Sequence, residues 1–414
     1  MNGLATAHPD DATLGVWLVG ARGDIATTLM VGARAIAAGL SSDSGLTTAR
    51  PPFDGLPLTA LADLRFGGVD IDDGPLWRSA LGVYQRSRTI DRETLDAVAA
   101  DIEVIDNDIV HVPDMAWDPG APIPGFPSLR LLVDGLRARL QAFRHRHGLA
   151  RVVVVNLMSS LPHPALSPSR DTRAGIEALI DADRKDLISP SVCYLWAALL
   201  EGCPYINFTP NAGTDWAGVA ELAEHVRVPF YGDDGKTGET LIKTALAHMF
   251  AYRNLRVLSW EGVNLLGNND GRMLNEPRNR TAKLHNKEQV LSGILGYEPH
   301  AGVTINYVPS LGDWKTAWDL IHFQGFLDVP MCMQFTWQGC DSILAAPLVL
   351  DLVRLTDFAA RSGEVGPMRQ LAAFFKNPLA VAEMDFHRQC ADLIAYARRH
   401  LGEDTQAHAD APTP

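Results

Sequence analysis

Gly15-Val-Trp-Leu-Val-Gly20-Ala-Arg-Gly23-Asp-Ile-Ala26-Thr-Thr28 is the stretch that decides the fold. Its first half is a short apolar run ending in glycine. Its second half opens a segment, reaching to about Leu40, whose apolar residues recur at helical spacing. That order reads as strand, tight turn, helix. Gly20 permits the turn, and Gly23 lets a pyrophosphate approach the backbone. Ala26 lets helix and strand pack closely, and the start of the helix faces the anion. Arg22, Asp24, Ile25 and Thr27 complete the candidate cofactor turn. A Gly-x-x-Gly turn also occurs in α/β proteins that bind no nucleotide, so the rest of the chain has to support the reading.

Outward from this turn the same alternation continues. Leu64–Ile71, LRFGGVDI, reads as a second strand and turn. An acid about twenty residues beyond the glycines would take the ribose hydroxyls. That distance falls in a Ser-rich loop around Asp43, so Asp70, at the end of the second strand, is the better candidate. Arg151 opens RVVVVNLMSS, whose four valines mark a central parallel strand buried on both faces. Ser191–Phe208 reads as a buried helix and the turn after it, Thr214–His225 as a helix, and VRVPFYGDD as a strand ending in acids. Residues 40–57 and the five-proline stretch 112–128 are loops. The expected fold class is α/β, a Rossmann-type doubly wound parallel sheet.

The texture changes after Lys236. Two strand-like pieces, RVLSWEGVNLLG and VTINYVP, flank a polar segment rich in Asn, Arg and Lys. Residues 236–341 therefore read as a separate α+β insertion that follows the sheet-forming part in 1–235. From Asp341 the chain is expected to be helical again, through SILAAPLVLDLVRLTDFAAR and then PMRQLAAFF. The tail, 403–414, has the composition of a disordered segment.

With a net charge of -13, the chain lacks the basic field that general nucleic-acid binding needs. A local cluster of cations can still hold an anionic substrate. Cys193, Cys203, Cys332, Cys340 and Cys390 form no CxxC pair and no zinc spacing, which suggests reduced thiols in a cytoplasmic protein and no metal site. The start, MNGLATAHPDD, lacks the pattern of a signal peptide, and no stretch reads as a membrane span. The chain has 29 Arg and only 7 Lys, so a lysine that remains is a candidate for work that Arg cannot do. Lysine can lose its proton near neutral pH when desolvated, whereas arginine stays charged.

The remaining lysines fall in distinctive surroundings. Gly232–Thr240, GDDGKTGET, places Asp233, Asp234, Lys236 and Thr237 at a strand end, where a parallel sheet faces its ligand. Its bland alternative is a solvated turn with a capping Thr. Asn264–Lys287 holds Asn268, Asn269 and Asp270 in a turn, then Lys283 and Lys287 at i and i+4. If helical, these two ammonium groups share a face and favour an anion between them; the alternative is a polar loop and an exposed helix. YVPSLGDWKTAWD carries Asp313 and Lys315, and Cys340-Asp341-Ser342 opens an apolar helix. In FFKNPL, Lys376 follows two Phe, either partly desolvated or snorkelling from a helix end.

In this order the motifs resemble those of inositol-phosphate synthases, in wording closest to a bacterial branch. The family patterns are close to GDDxKSGQT, LGNNDG followed by SK-x-x-SK, GDxK and EDSLLAAPLxLDL. This chain has GDDGKTGET, LGNNDG, AKLHNK, GDWK and CDSILAAPLVLDL. YLWAALLEGCPYINFTPN, FGGVDI and the glycine turn match further family segments, so the resemblance runs from about Gly15 to about Pro378. Departures are Arg22 and Asp24 in the glycine turn, VNLMSSLP at a strand end, Ala282 and Asn286 before the paired lysines, and Cys340 where the family has Glu.

The resemblance implies a Rossmann domain built from both ends of the chain, 1–235 with 342–402, and a catalytic and tetramer-forming domain in 236–341. It implies NAD used and regenerated within one turnover, a sugar phosphate substrate and a homotetramer, while charge and hydropathy leave neither nucleic acid nor membrane as partner. It implies cyclisation of glucose 6-phosphate to an inositol monophosphate through oxidation at C5, loss of a C6 proton, attack of C6 on C1 and re-reduction. Lys283 and Lys315 are assigned to acid/base work at the C5 oxygen, and Lys287 and Lys376 to the phosphate and the aldehyde oxygen. Asp234 and Asp341 orient the lysines. Asn268, Asn269, Asp270, Lys236 and Thr237 bind substrate. Asp70, Ser159, Asp233, Asp313 and Ser342 join the glycine turn in binding cofactor. Three other readings stay open: a five-membered ring formed from fructose 6-phosphate, as in carbocyclic nucleoside pathways, a simple dehydrogenase, and a catalytically silent NAD-binding regulator.

Overall fold

The computed structural model describes residues 13–113, 117, 121–123, 125–267 and 291–403. The chain builds two sheets. The first has seven strands: β1 (Leu14–Val19), β2 (Leu64–Asp70), β3 (Ile109–His111), β4 (Arg151–Asn156), β5 (Tyr205–Asn207), β6 (Pro229–Tyr231) and, from far downstream, β11 (Gly366–Pro367). Their spatial order is β11-β6-β5-β4-β1-β2-β3, and every pairing is parallel. The order reverses between β1 and β4, which creates the crevice where doubly wound sheets bind ligands. The fold is the expected α/β, Rossmann-type sheet.

The sequence explains this sheet directly. β1 is buried at all six positions and β4 at five of six, as strands with helices on both faces must be. Around the sheet lie α1 (Asp24–Ala37), α2 (Leu76–Ser87), α3 (Arg92–Ala97), α4 (Ala99–Asp106), α5 (Leu129–Arg146), α6 (Arg173–Asp181), α7 (Pro190–Leu200) and α8 (Ala217–Val226). Helix α7 is buried from Pro190 to Leu199, so its apolar length reflects a core position.

The second sheet contains β7 (Arg256–Leu266), β8 (His300–Tyr307), β9 (Trp314–Gln324) and β10 (Pro330–Cys340), in the order β10-β9-β7-β8. Helix α9 (Gly238–Tyr252) packs against it, with Phe250, Trp260 and Ile321 in the shared core. The polar composition predicted two strands here; β9 and β10 add two more. Their outer face is partly wet, so WKTAWDLIHFQ and PMCMQFTWQGC mix apolar and polar residues without a long apolar run.

Helix α10 (Asp341–Arg361) returns the chain to the first sheet and packs on α1. Asp351 accepts from Thr47 and Thr48 backbone N–H groups, and Asp357 pairs with Arg151 at 2.7 Å. The last long helix is α11 (Phe386–His400). The expected helix over PMRQLAAFF is corrected by the structure: Gly366–Pro367 extends the first sheet, and Arg369–Phe374 is a short 3₁₀ turn. Gly366 has φ +81, and the β11 pairing to β6 draws the segment out of helical geometry. Among the described residues, no helix is long and apolar enough to cross a membrane. All five cysteines are free.

Candidate active site

The glycine turn leaves β1 at its C-terminal end. Gly20 has φ +88, and an added Cβ would meet the Leu157 carbonyl oxygen at 2.9 Å, so the turn requires glycine here. Gly20 and Ala21 both donate to the Val69 carbonyl, and Gly23 donates back to Gly20. Gly23 is the N-cap of α1, and no side chain caps that helix start. Its first N–H groups therefore suit an anion, which is the arrangement a dinucleotide pyrophosphate requires. Ala26 and Thr27 are buried at the strand–helix contact. Asp70 stands at the end of β2, accepting from the Arg22 and Asp72 backbone N–H groups at 2.7 and 2.8 Å. The Arg22 guanidinium turns to Asp106, at 2.7 Å, and does not cross the turn. These residues fit NAD.

At the ends of β4 and β5 lies a buried amide network that the sequence reading missed. Asn156 donates to Asn207 Oδ1, Thr209 Oγ donates to the same oxygen at 2.7 Å, and Asn207 donates to the Asn211 carbonyl. Asn211 in turn donates to the carbonyl of Ser159, whose side chain is exposed. The available signal was an Asn immediately after each apolar run, in VVVVN and YIN.

The Gly232–Lys236 turn is held by the segment around Lys376. Asp233 N–H donates to the Asn377 carbonyl, Lys376 N–H to the Asp234 carbonyl at 2.7 Å, and Lys236 N–H to the Phe374 carbonyl. The backbone thereby aligns side chains from distant parts of the chain, and Lys376 Nζ meets Asp234 Oδ1 at 2.8 Å. Burial, together with the charges of Asp234 and Asp215, pushes the Asp233 carboxyl up to about 8. Lys236 was expected at the substrate. Its ammonium is instead buried, donating to Gln389 Oε1 of α11 at 2.8 Å. Burial lowers it to about 8.

The next residue, Thr237, is the N-cap of α9, again with no side-chain cap bond. Gly238 has φ +59, and Lys315 Nζ lies 3.6 Å from where a Cβ would stand on it. Lys315 comes from the start of β9, in register with Leu266 of β7 and Gly339 of β10. Beside it, buried Asp313 accepts through Oδ2 from the Cys340 thiol at 2.8 Å and from the Ser342 hydroxyl. Burial and this carboxylate raise the Cys340 thiol to about 11. Asp341 opens α10, and its Oδ1 is buried without a partner among the described residues.

The structure thus gathers Asp234, Lys376, Thr237 and Lys315 around a single turn. Asp313 and Ser342 lie at the adjoining seam, where β9 begins and α10 leaves β10. Asn268, Asn269, Asp270, Lys283 and Lys287 lie outside the described residues. The chain enters that segment from Gly267, which packs on the backbone of Gly312, next to Asp313. The two sheets meet electrostatically as well: Asp24, in the glycine turn, is raised by burial and by the charge of Asp313.

The family model described as myo-inositol-1-phosphate synthase, a model of NAD-binding proteins, matches residues 14–398. The chain is similar to inositol-3-phosphate synthase 1 of Bacteroides thetaiotaomicron, 33% identical over 393 residues that cover 90% of each protein. It is 31% identical to the Saccharomyces cerevisiae inositol-3-phosphate synthase over 58% of this chain, but it spans about half, 48%, of that relative's length. The crystal structure of the Caenorhabditis elegans inositol-3-phosphate synthase aligns with a TM-score of 0.83 and 25% identity, covering 97% of this chain and 89% of that one. With the glycine turn fitted for a dinucleotide and Lys315 and Lys376 gathered at one turn, the chain belongs to the myo-inositol-1-phosphate synthase family and is an NAD-binding enzyme of that kind.

Proposed function

We propose that this enzyme converts glucose 6-phosphate to an inositol monophosphate by redox-neutral cyclisation, with the pyrophosphate of NAD held by Gly20–Thr27. The observation that carries the reading is the placement of Lys376 and Lys315 at the two ends of the Asp234–Gly238 segment, Lys376 paired with Asp234 and Lys315 beside Gly238. When bound, NAD supplies a hydride acceptor that is regenerated within one turnover. The reaction then needs the C5 carbon at the ketone level, a proton removed from C6, and C6 bonded to C1 in a six-membered ring. Each change places charge on an oxygen, and the protein's task is to move protons and to balance that charge.

Lys376, oriented by Asp234, donates a proton to the oxygen that becomes negative as the ring closes. Lys315 stands beside the uncapped start of α9, where its charge and the helix N–H groups together suit the substrate phosphate. This position favours phosphate binding for Lys315 over the C5 proton transfer assigned from sequence. Lys283 retains acid/base work at C5, and Lys287 the second cation at the phosphate. Asp313, Ser342, Asp70, Asp233 and Ser159 belong to the cofactor side, and Asp341 orients a lysine. Asn268, Asn269, Asp270 and Thr237 hold substrate.

The same reading divides the chain into a Rossmann domain, 1–235 with 342–402, and a catalytic domain, 236–341. It makes the enzyme a cytoplasmic homotetramer joined through the second sheet. That sheet leaves Trp318 37% exposed on its outer face, and its β9–β10 connection leaves Phe326 88% exposed. Light scattering at micromolar concentration should give four chains; a monomer would contradict this part.

The activity test incubates pure enzyme with glucose 6-phosphate and catalytic NAD. We expect an inositol phosphate with no net NADH. Stoichiometric NADH without a cyclitol would show a simple dehydrogenase. A five-membered ring with a quaternary carbon, formed only from fructose 6-phosphate and identified by carbon NMR, would replace the proposed substrate.

A further inference from the structure

Asp24 is the first residue of α1, within the turn that faces the pyrophosphate. A carboxylate there stabilises the helix, because the helix N-terminus is positive. It also occupies the electrostatic position that an anionic cofactor needs. Asp313 adds a second negative charge nearby and, with burial, raises the Asp24 carboxyl. An isolated acid at this point would therefore oppose the ligand that the turn is shaped to hold.

The structure answers this charge from another element. Arg86, in the last turn of α2, places Nη2 2.5 Å from Asp24 Oδ1. Its backbone is fixed independently of that contact. The Arg86 carbonyl lies 2.9 Å from where a Cβ would stand on Gly312, and the neighbouring Ser87 carbonyl accepts from Trp314 Nε1 at 2.9 Å. Arg86 is thus anchored where the two sheets meet, with its side chain aimed at the glycine turn. Exposed ion pairs contribute little to stability, and this one is half exposed, so a stabilising role does not account for its placement.

We propose that Arg86 is a positioning residue for NAD, which makes the turn receptive to pyrophosphate by cancelling the charge of Asp24. The inference rests on the reading that Gly20–Thr27 holds the pyrophosphate. Removing the guanidinium leaves Asp24 facing the cofactor phosphates, and replacing Asp24 by Asn removes the need for it. Arg86 and Asp24 should therefore be coupled in NAD affinity and not in the stability of the free protein.

The test is a double-mutant cycle, read by calorimetric titration of NAD alone into the full chain. We expect Arg86→Met to weaken NAD about tenfold, as an uncompensated charge near a bound anion does. Arg86→Lys should restore most of the affinity. Asp24→Asn/Arg86→Met should bind within about twofold of Asp24→Asn, the mark of coupled residues. Thermal unfolding without NAD should hardly move across the set. Unchanged affinity in Arg86→Met, or the same loss in both backgrounds, would overturn the inference. Gly23→Val tests the underlying reading separately. Gly23 has an ordinary extended conformation, φ -65, and its Cβ would meet only the Gly20 carbonyl, at 3.3 Å. That variant should fold and lose NAD; if it keeps NAD, the pyrophosphate lies elsewhere.

Discussion

The seven-stranded sheet hides both faces under helices, whereas the four-stranded sheet hides one and carries charge inside it. In the first sheet, β1 and β4 bury apolar side chains, and polar groups collect at the strand ends, where doubly wound sheets bind their ligands. In the second, Glu239 and Lys243 of α9 are buried together with Asn264 of β7 and Asp319 of β9. Lys243 Nζ lies 2.7 Å from Glu239 and 3.9 Å from Asp319, and Trp260 Nε1 donates to Asp319 at 2.8 Å. One sheet offers backbone N–H groups to an anion; the other fixes a helix start and a lysine with internal charges. The larger difference is tolerance, since an apolar core relaxes around a lost methyl group while a buried charge without its partner cannot.

The largest effects should appear where the two regions share work. Lys376→Arg keeps the charge but cannot release its proton, so turnover should fall by about a hundredfold to ten-thousandfold, the usual cost of a lost acid/base group. NAD affinity, by titration, should be unchanged. Lys315→Arg should mainly raise KM for the sugar phosphate, because arginine also binds phosphate. Near-normal turnover in Lys376→Arg together with a dead Lys315→Arg would exchange the two roles.

Stability provides the next contrast. Lys243→Met removes the cation that stands 2.7 Å from buried Glu239 and should cost about 3–5 kcal/mol in denaturant unfolding. Leu18→Ala, at a fully buried position of β1, should cost about 2–5 kcal/mol through its cavity. The two should differ in rescue: Glu239→Gln, which removes one buried charge, should relieve part of the loss in Lys243→Met and leave that in Leu18→Ala alone. An equal response of the two variants to Glu239→Gln would remove the distinction between the two interiors.

The same contrast explains what could be read from the residues. GVWLVG and RVVVVN announce their strands because burial on both faces forces continuous apolar runs. β9 and β10 escape notice because one wet face interrupts the pattern. The lysines stood out by their scarcity beside arginine, and the structure brings Lys315 and Lys376 to one turn. Their partners were less visible. Nothing local in FFKNP points to Asp234, 142 residues away, and nothing in GDDGK shows that Lys236 is directed toward Gln389. Arg86 is one of many arginines on the chain, and only the fold brings it to Asp24.

The turn between the sheets should give a smaller effect, of distinctive form. Asp233 has its carboxyl raised to about 8, so the folded protein binds an extra proton above the ordinary carboxylate range. Its contribution to stability therefore falls as pH rises from about 4 to about 8. Lys236 is lowered to about 8, so its contribution rises between about 8 and 10.4, where the unfolded chain holds the additional proton. Together they predict a shallow stability minimum near pH 8. Asp233→Asn should flatten its acid side and Lys236→Met its alkaline side. A profile unchanged by both substitutions would show that neither group titrates in this window.

The smallest effect is chemical and leaves stability untouched, yet it separates the seam from the open face. The thiolate is the form that reacts with alkylating agents. Cys340 is buried, donates to Asp313, and is raised to about 11, so at pH 8 it should stay unmodified until the protein unfolds. Cys332 is exposed on β10, the edge strand of the second sheet. If that sheet joins chains in a tetramer, Cys332 should be protected at high protein concentration and become reactive on dilution, while Cys340 stays silent at both. Mass spectrometry of iodoacetamide-treated protein, peptide by peptide, distinguishes them. Cys332 modified at the same rate at every concentration would mean that the exposed face of β9 and β10 is not where the chains meet. Early modification of Cys340 would mean that the Asp313 hydrogen bond does not hold the thiol, and the seam would then be looser than its buried contacts indicate.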